Sequence, residues 1–236
     1  MRSVAIVLAA GSGSRMNSET PKQYMELRDK PLIYYSLQAF EGSSIDEIIL
    51  VVGENEVEYN CKNIVEKYNI NKVREVVIGG SQRYFSVYNG LKAVKEADYV
   101  LIHDGARPFI SHNLIEGVLQ EVVKHKACVV GVPSKDTIKI VDYNNLVINT
   151  PNRDYAWIVQ TPQAFSYSLV MKAYDVIIKK LKDSDENDIK LNVTDDAMVV
   201  EYSTGHPIKL IEGSYSNVKI TTPEDIVMAN VLIKNY

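Results

Sequence analysis

Val4-Ala5-Ile6-Val7-Leu8-Ala9-Ala10-Gly11-Ser12-Gly13-Ser14-Arg15-Met16 stands at the head of this chain, and Pro21-Lys22-Gln23 follows it closely. The apolar run Val4 to Ala10 reads as a buried strand emptying into a loop with no bulky side chain before Arg15. Ala, Gly and Ser let a ligand lie against the backbone, and glycine permits turns that aim several N–H groups at one anion. Arg15 and Lys22 add fixed positive charge, so Gly11 and Gly13 with these cations read as a polyphosphate cradle.

Further apolar runs at Glu47–Val52, Val73–Ile78, Tyr99–His103 and Cys128–Val132 read as strands. Pro31–Phe40, Glu56–Tyr68, Arg83–Lys95 and Asn113–Lys124 alternate with them as helices. Pro31 suits a first helical turn and Ser111 an N-cap. This β–α rhythm predicts an α/β fold, a mostly parallel sheet with helices on both faces and ligands at the carboxyl ends of the strands. From about Ser134 to Val159 the rhythm breaks. Thr137–Val141 and Leu146–Ile148 flank Asp142-Tyr143-Asn144-Asn145, which predicts a β-hairpin, either a projecting arm or an antiparallel addition to the sheet edge. A helix over Tyr167–Lys182, a charged loop over Asp183–Asn192, a short helix over Asp195–Tyr202, a strand over Ile208–Glu212 and a helix from near Pro223 follow.

Composition narrows the function classes. With 236 residues, 46% hydrophobic and 24% charged, the chain suits one ordinary globular core and nothing demands a second domain. A net charge of −4 gives no general reason to expect nucleic acid or an anionic membrane as partner, so any anion site must be a local cationic patch. Cys61 and Cys128 have no metal-type spacing and read as reduced thiols of a cytoplasmic protein. Arg2 before Val4–Ala10 looks like a short signal peptide, but its removal would delete a strand together with its glycine loop. No apolar segment approaches transmembrane length.

The first loop departs from better-known phosphate loops. Gly11 and Gly13 match a dinucleotide fingerprint, but Met16 replaces the third glycine and Glu54 lies too far on for its ribose-binding acid. No Gly-Lys-Ser/Thr closes a Walker loop. Gly79-Gly80-Ser81-Gln82-Arg83-Tyr84-Phe85-Ser86-Val87 follows the third strand, where the glycine pair admits a planar group and Ser86 can reach a base edge. Arg83 sits at a helix start, where a cation opposes the macrodipole, and an ordinary exposed arginine is the competing reading. In Leu101-Ile102-His103-Asp104-Gly105-Ala106-Arg107-Pro108, Asp104 can hold Mg²⁺ with substrate phosphates completing the octahedron, or can serve as a turn aspartate. Arg107 can bind phosphate or pair with Asp104, and His103 reads as a packed strand-end residue. Lys219 lies between apolar Val218 and Ile220, so its backbone is expected to be half buried. Thr194-Asp195-Asp196 reads as a helix cap.

These motifs together resemble the 2-C-methyl-D-erythritol 4-phosphate cytidylyltransferases of the non-mevalonate isoprenoid pathway. L-A-A-G-x-G-x-R-M with P-K-Q, G-G-x-x-R-x-x-S-V, H-D-G-A-R-P, V-P-x-K-D-T, T-P-Q and N-x-K-I-T occur in order from residue 8 to residue 223. The resemblance implies one Rossmann-like cytidylyltransferase domain over residues 1–236, with a projecting dimerisation arm over about 134–159. It implies that Arg15, Lys22 and Lys219 hold the CTP triphosphate and stabilise the pentavalent α-phosphate. Ala9, Ala10, Gly80 and Ser86 would frame cytosine and ribose. Asp104 would position Mg²⁺ and contact the acceptor together with Arg107 and Thr161. Thr137 and Arg153 would reach the acceptor in the neighbouring subunit, which implies a homodimer. Ser81, where an acidic residue is common, touches only a minor base contact.

The nearest competing reading is a ribitol 5-phosphate cytidylyltransferase, against which Ala10 and Ala106 speak. A dinucleotide-binding oxidoreductase lacks its third glycine here, and a non-catalytic nucleotide-binding module would bind CTP without releasing pyrophosphate. The chain ends soon after its last motif, so no fused cyclase domain is expected.

Overall fold

The computed structural model describes residues 1–11, 20–183 and 192–235. Its elements begin with β1 (Ser3–Leu8), the short pair β2 (Glu26–Leu27) and β3 (Lys30–Pro31), α1 (Leu32–Glu41), β4 (Glu47–Val52) and α2 (Val57–Asn60). Next come β5 (Val73–Ile78), α3 (Arg83–Ala93), β6 (Tyr99–Asp104), α4 (His112–His125) and β7 (Ala127–Pro133). The chain continues with β8 (Ile140–Val141), β9 (Val147–Asn149), β10 (Trp157–Ser166), α5 (Tyr167–Asp183), α6 (Asp196–Thr204), β11 (Lys209–Glu212) and α7 (Pro223–Leu232).

A seven-stranded sheet runs β11-β7-β10-β6-β1-β4-β5. All its pairings are parallel except those of β10, which is antiparallel to both neighbours. The apolar runs are continuous because both faces of the sheet are covered. Ala5 and Val7 of β1 pack with α1 and α4 through Ile33, Leu37, Phe40, Ile115 and Val118. Val4 and Ile6 point the other way, into a layer formed by Val87 and Leu91 of α3, Val170 and Tyr174 of α5 and Val199 of α6. Leu50 and Val51 divide the two faces in the same manner. Period-two alternation thus sorts each strand between two separate cores.

One strand that the sequence reading did not include, and two local differences from its expectations, have physical causes. Strand β10 lies inside the sheet, although Pro162 argues against a central strand because it cannot donate to a ladder. The pairing with β7 slips between Val159 and Gln163, so Pro162 falls where no ladder bond is required of it. Pro31 is the residue before α1 and not part of it, since it is extended and pairs with Glu26. The helix expected over Glu56–Tyr68 is α2 followed by a wider turn of π type over Cys61–Glu66. Ser111 caps α4 as expected, its hydroxyl accepting from the Leu114 N–H at 3.2 Å.

The hairpin joins no strand of the main sheet. Among the described residues β8 and β9 pair only with each other, and a register slip shortens them relative to the apolar runs. Asp142 Oδ1 accepts from the N–H groups of Asn144 and Leu146, both at 2.9 Å, which fixes the turn. Its apolar side chains are not packed away: Tyr143 is 94% exposed, Leu146 64% and Ile148 67%. Among the described residues, no helix is long and apolar enough to cross a membrane.

Candidate active site

The site forms where β1 and β6 lie side by side, with Leu8 directly opposite Asp104. From β1 the sheet extends through β4 and β5 on one side and through β6 on the other, so loops part at this point and leave a crevice. The first residues beyond the strands still bond to their neighbours. Ala9 N–H donates to Val51 O at 2.7 Å, Gly79 N–H to Val52 O at 2.8 Å and Gly105 N–H to Leu8 O at 2.9 Å.

A cleft of about 360 Å³ opens there. Ala9, Ala10 and Gly11 form one wall, Gly80 and Ser86 a second, and Lys22, Asp104 and Lys219 line the remainder. A Cβ at Gly79 would collide with the side chains of Ala10 and Ser86, so this glycine is what lets the loop after β5 approach the loop after β1. Ser86 Oγ accepts from Gly80 N–H at 3.0 Å, and therefore holds the loop as well as facing the cleft. Gly13 and Arg15 lie outside the described residues.

A second cleft of about 320 Å³ adjoins the first and is lined by Arg107, Thr161, Gln163 and Thr194. Arg83, Asp104 and Lys219 belong to both. Asp104 is the centre of this shared boundary. Lys219 Nζ stands 2.7 Å from its Oδ2, Arg83 Nε donates to its Oδ1 at 3.2 Å, and Arg107 Nε lies 4.0 Å from Oδ2. Burial opposes ionisation of Asp104, but Arg83, Lys219 and Arg107 more than reverse this and hold the carboxyl well below the usual carboxylate range. The Arg107 guanidinium is pulled down by burial, with Asp104 acting against that pull.

Side chains from distant segments set these groups in place. Asp104 N–H donates to Thr161 Oγ1 at 3.1 Å, which leaves the Thr161 hydroxyl to donate to His103 Nδ1 at 3.1 Å. The partners then assign the His103 proton to Nε2, which lies 3.3 Å from Arg107 O. Burial pushes the His103 pKa down to about 4, so the ring is neutral near pH 7, a packed residue as its sequence context implied. Lys219 sits on a strap along the Asp104 loop. Ile220 N–H donates to Ala106 O at 2.9 Å, Arg107 Nη1 to Asn217 O at 2.8 Å, and Asn217 Nδ2 to Thr161 O at 2.9 Å.

Arg83 is the residue the sequence left most ambiguous. It is no ordinary surface arginine, because its two Nη atoms donate to the fully buried Asp196 carboxylate at 2.9 and 2.8 Å. Asp195 caps α6 as expected, accepting from Met198 N–H at 2.8 Å, whereas Asp196 has this second role. Gln163 completes the join, its Oε1 accepting from the N–H groups of Asp196 and Ala197 at 3.0 and 2.9 Å. The advance signals for Arg83 were its awkward place at a helix N-terminus and its position in the G-G-x-x-R-x-x-S-V motif. Thr137 and Arg153 line neither cleft of their own chain.

At the boundary shared by the two clefts the carboxylate that could face a divalent ion is Asp104. No group of three or more His, Cys, Asp or Glu side chains suited to a metal occurs among the described residues. Asp104 already shares its oxygens with cations. Such a set suits an ion carried in by phosphate ligands better than one caged by the protein.

A small-residue loop at a parallel-sheet switch point, facing a carboxylate ringed by cations, defines a nucleotidyltransferase of the α/β class. The chain belongs to the 2-C-methyl-D-erythritol 4-phosphate cytidylyltransferase family, whose model, described as IspD, matches residues 3–235. A protein of that name from Lachnoclostridium phytofermentans is 50% identical over 232 residues, covering 98% of this chain and 96% of the relative. The crystal structure of 4-diphosphocytidyl-2C-methyl-D-erythritol synthase from Anaerococcus prevotii superposes with a TM-score of 0.85 at 37% identity, over 99% of this chain and 96% of that one. The 2-C-methyl-D-erythritol 4-phosphate cytidylyltransferase of Thermus thermophilus gives a TM-score of 0.75 at 27% identity, over 97% and 98% of the two chains.

Proposed function

We propose that the protein transfers a cytidylyl group from CTP to 2-C-methyl-D-erythritol 4-phosphate, giving 4-diphosphocytidyl-2-C-methyl-D-erythritol and pyrophosphate. The observation that carries this reading is the pair of adjoining clefts with Arg83, Asp104 and Lys219 at their boundary. The first cleft takes the nucleotide, with base and ribose against Ala9, Ala10, Gly11, Gly80 and Ser86 and the triphosphate toward Lys22, Lys219 and Arg15. The second takes the acceptor, with Arg107 and Thr161 beside Asp104. The acceptor phosphate attacks the α-phosphorus in line, and pyrophosphate departs on the opposite side.

A phosphate monoester is largely ionised at neutral pH, so the attack needs no general base. The site fits that economy. Asp104 is bound to cations, and both His103 ring nitrogens are engaged. The two substrates bring about six negative charges, which the site's cations must cancel as the transition state forms. A divalent ion, which we take to be Mg²⁺ near Asp104, supplies further charge neutralisation on the phosphates when bound.

The whole chain acts as one cytidylyltransferase domain in the cytoplasm and works as a homodimer through its arm. Support for the dimer comes from the apolar side chains the hairpin exposes and from the exposed positions of Thr137 and Arg153. In this reading those two residues complete the acceptor cleft of the neighbouring subunit. The test is pyrophosphate release from purified protein with CTP, Mg²⁺ and either methylerythritol phosphate or ribitol 5-phosphate. Turnover with the first acceptor, lost on chelation, is expected; preference for the second, or release with neither, overturns the reading. Sedimentation velocity and an Arg153→Ala variant with a raised acceptor KM test the dimer.

A further inference from the structure

Each of the three Arg83 guanidinium nitrogens donates to a protein carboxylate. Both Nη atoms engage Asp196 fork to fork, and Nε engages Asp104 Oδ1. Asp196 is itself immobilised, with no exposed surface, a bond from the Tyr174 hydroxyl to Oδ1 and its own N–H given to Gln163. A planar guanidinium held by two of its nitrogens cannot swing, so the third is aimed in a fixed direction. That direction is toward the one carboxylate shared by both clefts. Lys219 holds the other oxygen of the same carboxylate.

We infer that Arg83 is a positioning residue: clamped by Asp196, it fixes the rotation of the Asp104 carboxylate and thereby the place of Lys219 between the two substrates. Asp196 shares the charge of Arg83, so Arg83 gives Asp104 a fixed orientation in addition to part of the positive charge that keeps it ionised. Lys219, which lines both clefts, is then held where it can meet phosphate. Were Arg83 absent, Asp104 could turn about its side-chain torsions and carry Lys219 with it. A displacement of even 1 Å at a reacting centre can cost on the order of 100-fold in rate.

The inference rests on the two-cleft reading above, and a kinetic double-mutant cycle with Asp104 tests it. Pyrophosphate release is measured for the full chain, for Arg83→Met, for Asp104→Asn and for the double variant. Arg83→Met is expected to lower kcat roughly 100-fold with both KM values changed less than about threefold, whereas in the Asp104→Asn background it costs less than about threefold. A full Arg83→Met penalty in that background, or a raised KM with kcat unchanged, overturns the inference, because Arg83 would then act on substrate or fold directly. If a urea midpoint shows that Arg83→Met does not fold, Arg83→Lys replaces it, since a single ammonium keeps the charge but loses the fork, and the same pattern is expected. A second readout needs no turnover. In ¹⁵N spectra of the free protein, the Arg83 Nε–H signal should be protected from exchange and should move in Asp104→Asn. An unmoved signal overturns the contact. Failure of the wild-type protein to turn over would count against the activity reading and leave this second readout decisive for the clamp.

Discussion

Around the cleft we assign to the nucleotide, each wall follows directly from its own strand: Ala9–Gly11 from β1 and the loop containing Gly80 from β5. Around the cleft we assign to the acceptor, the walls come from β10, the start of α6 and the strap at 217–219, joined by long-range side-chain bonds. The first is a backbone site, shaped by what is missing from the side chains. The second is a side-chain site, in which polar groups satisfy one another before any ligand arrives. A backbone site tolerates loss of one hydrogen bond, whereas a network of buried charges does not.

Substitutions can break that contrast or sharpen it. The largest expected effect is Lys219→Ala, which should slow pyrophosphate release by roughly 100- to 1000-fold, or about 3–4 kcal/mol of barrier, as for a lost oxyanion donor. Asp196→Ala should lower the unfolding free energy by about 3 kcal/mol in urea titrations, because Arg83 and the Tyr174 hydroxyl lose their common acceptor. A loss below about 1 kcal/mol would mean that the acceptor side is no more cooperative than the nucleotide side.

His103 provides the pH arm of the comparison. Its folded pKa of about 4 lies below the ordinary value of 6.5, so the unfolded chain takes up a proton that the folded chain refuses. Stability from this group is therefore complete above pH 6.5, falls as pH drops toward 4, and levels off below. Between pH 7.5 and pH 5 the drop should be about 2 kcal/mol, and His103→Asn should flatten it in paired urea midpoints. On the nucleotide side, Ser86→Ala removes one loop hydrogen bond and should cost about 1 kcal/mol, visible as a roughly fivefold higher KM for CTP with the acceptor KM unchanged. Smallest of all, Leu146→Asp on the arm should change the stability of the isolated subunit by less than about 0.5 kcal/mol while abolishing self-association in sedimentation.

Legibility followed the same division. Strands β4 and β5 stand where the sequence placed them, and Ala9, Ala10, Gly80, Ser86 and Lys22 converge on one cleft as their loops implied. The structure also brings Asp104, Arg107, Thr161 and Lys219 together, which the motifs suggested without a geometry. Strand β10 was illegible because Pro162 speaks against a central strand, and only the pairing with β7 reveals a slip that accommodates it. Asp196 was illegible for another reason: next to Asp195 it looks like a second capping acid, and its partner lies 113 residues away.

By itself, the sequence determined what local chemistry can determine: alternating buried runs, small residues where backbone must meet ligand, and cations at the ends of strands. Periodicity and side-chain size act over a few residues, so they can be read without knowing the fold. Which carboxylates Arg83 and Lys219 would meet was decided only by the tertiary structure. Electrostatic pairing depends on distances between segments remote in the chain, and those distances exist only once the sheet has set its strand order. The cradle at Ala9–Gly11 was therefore legible from its own residues, whereas the charged boundary it faces had to be assembled by the fold.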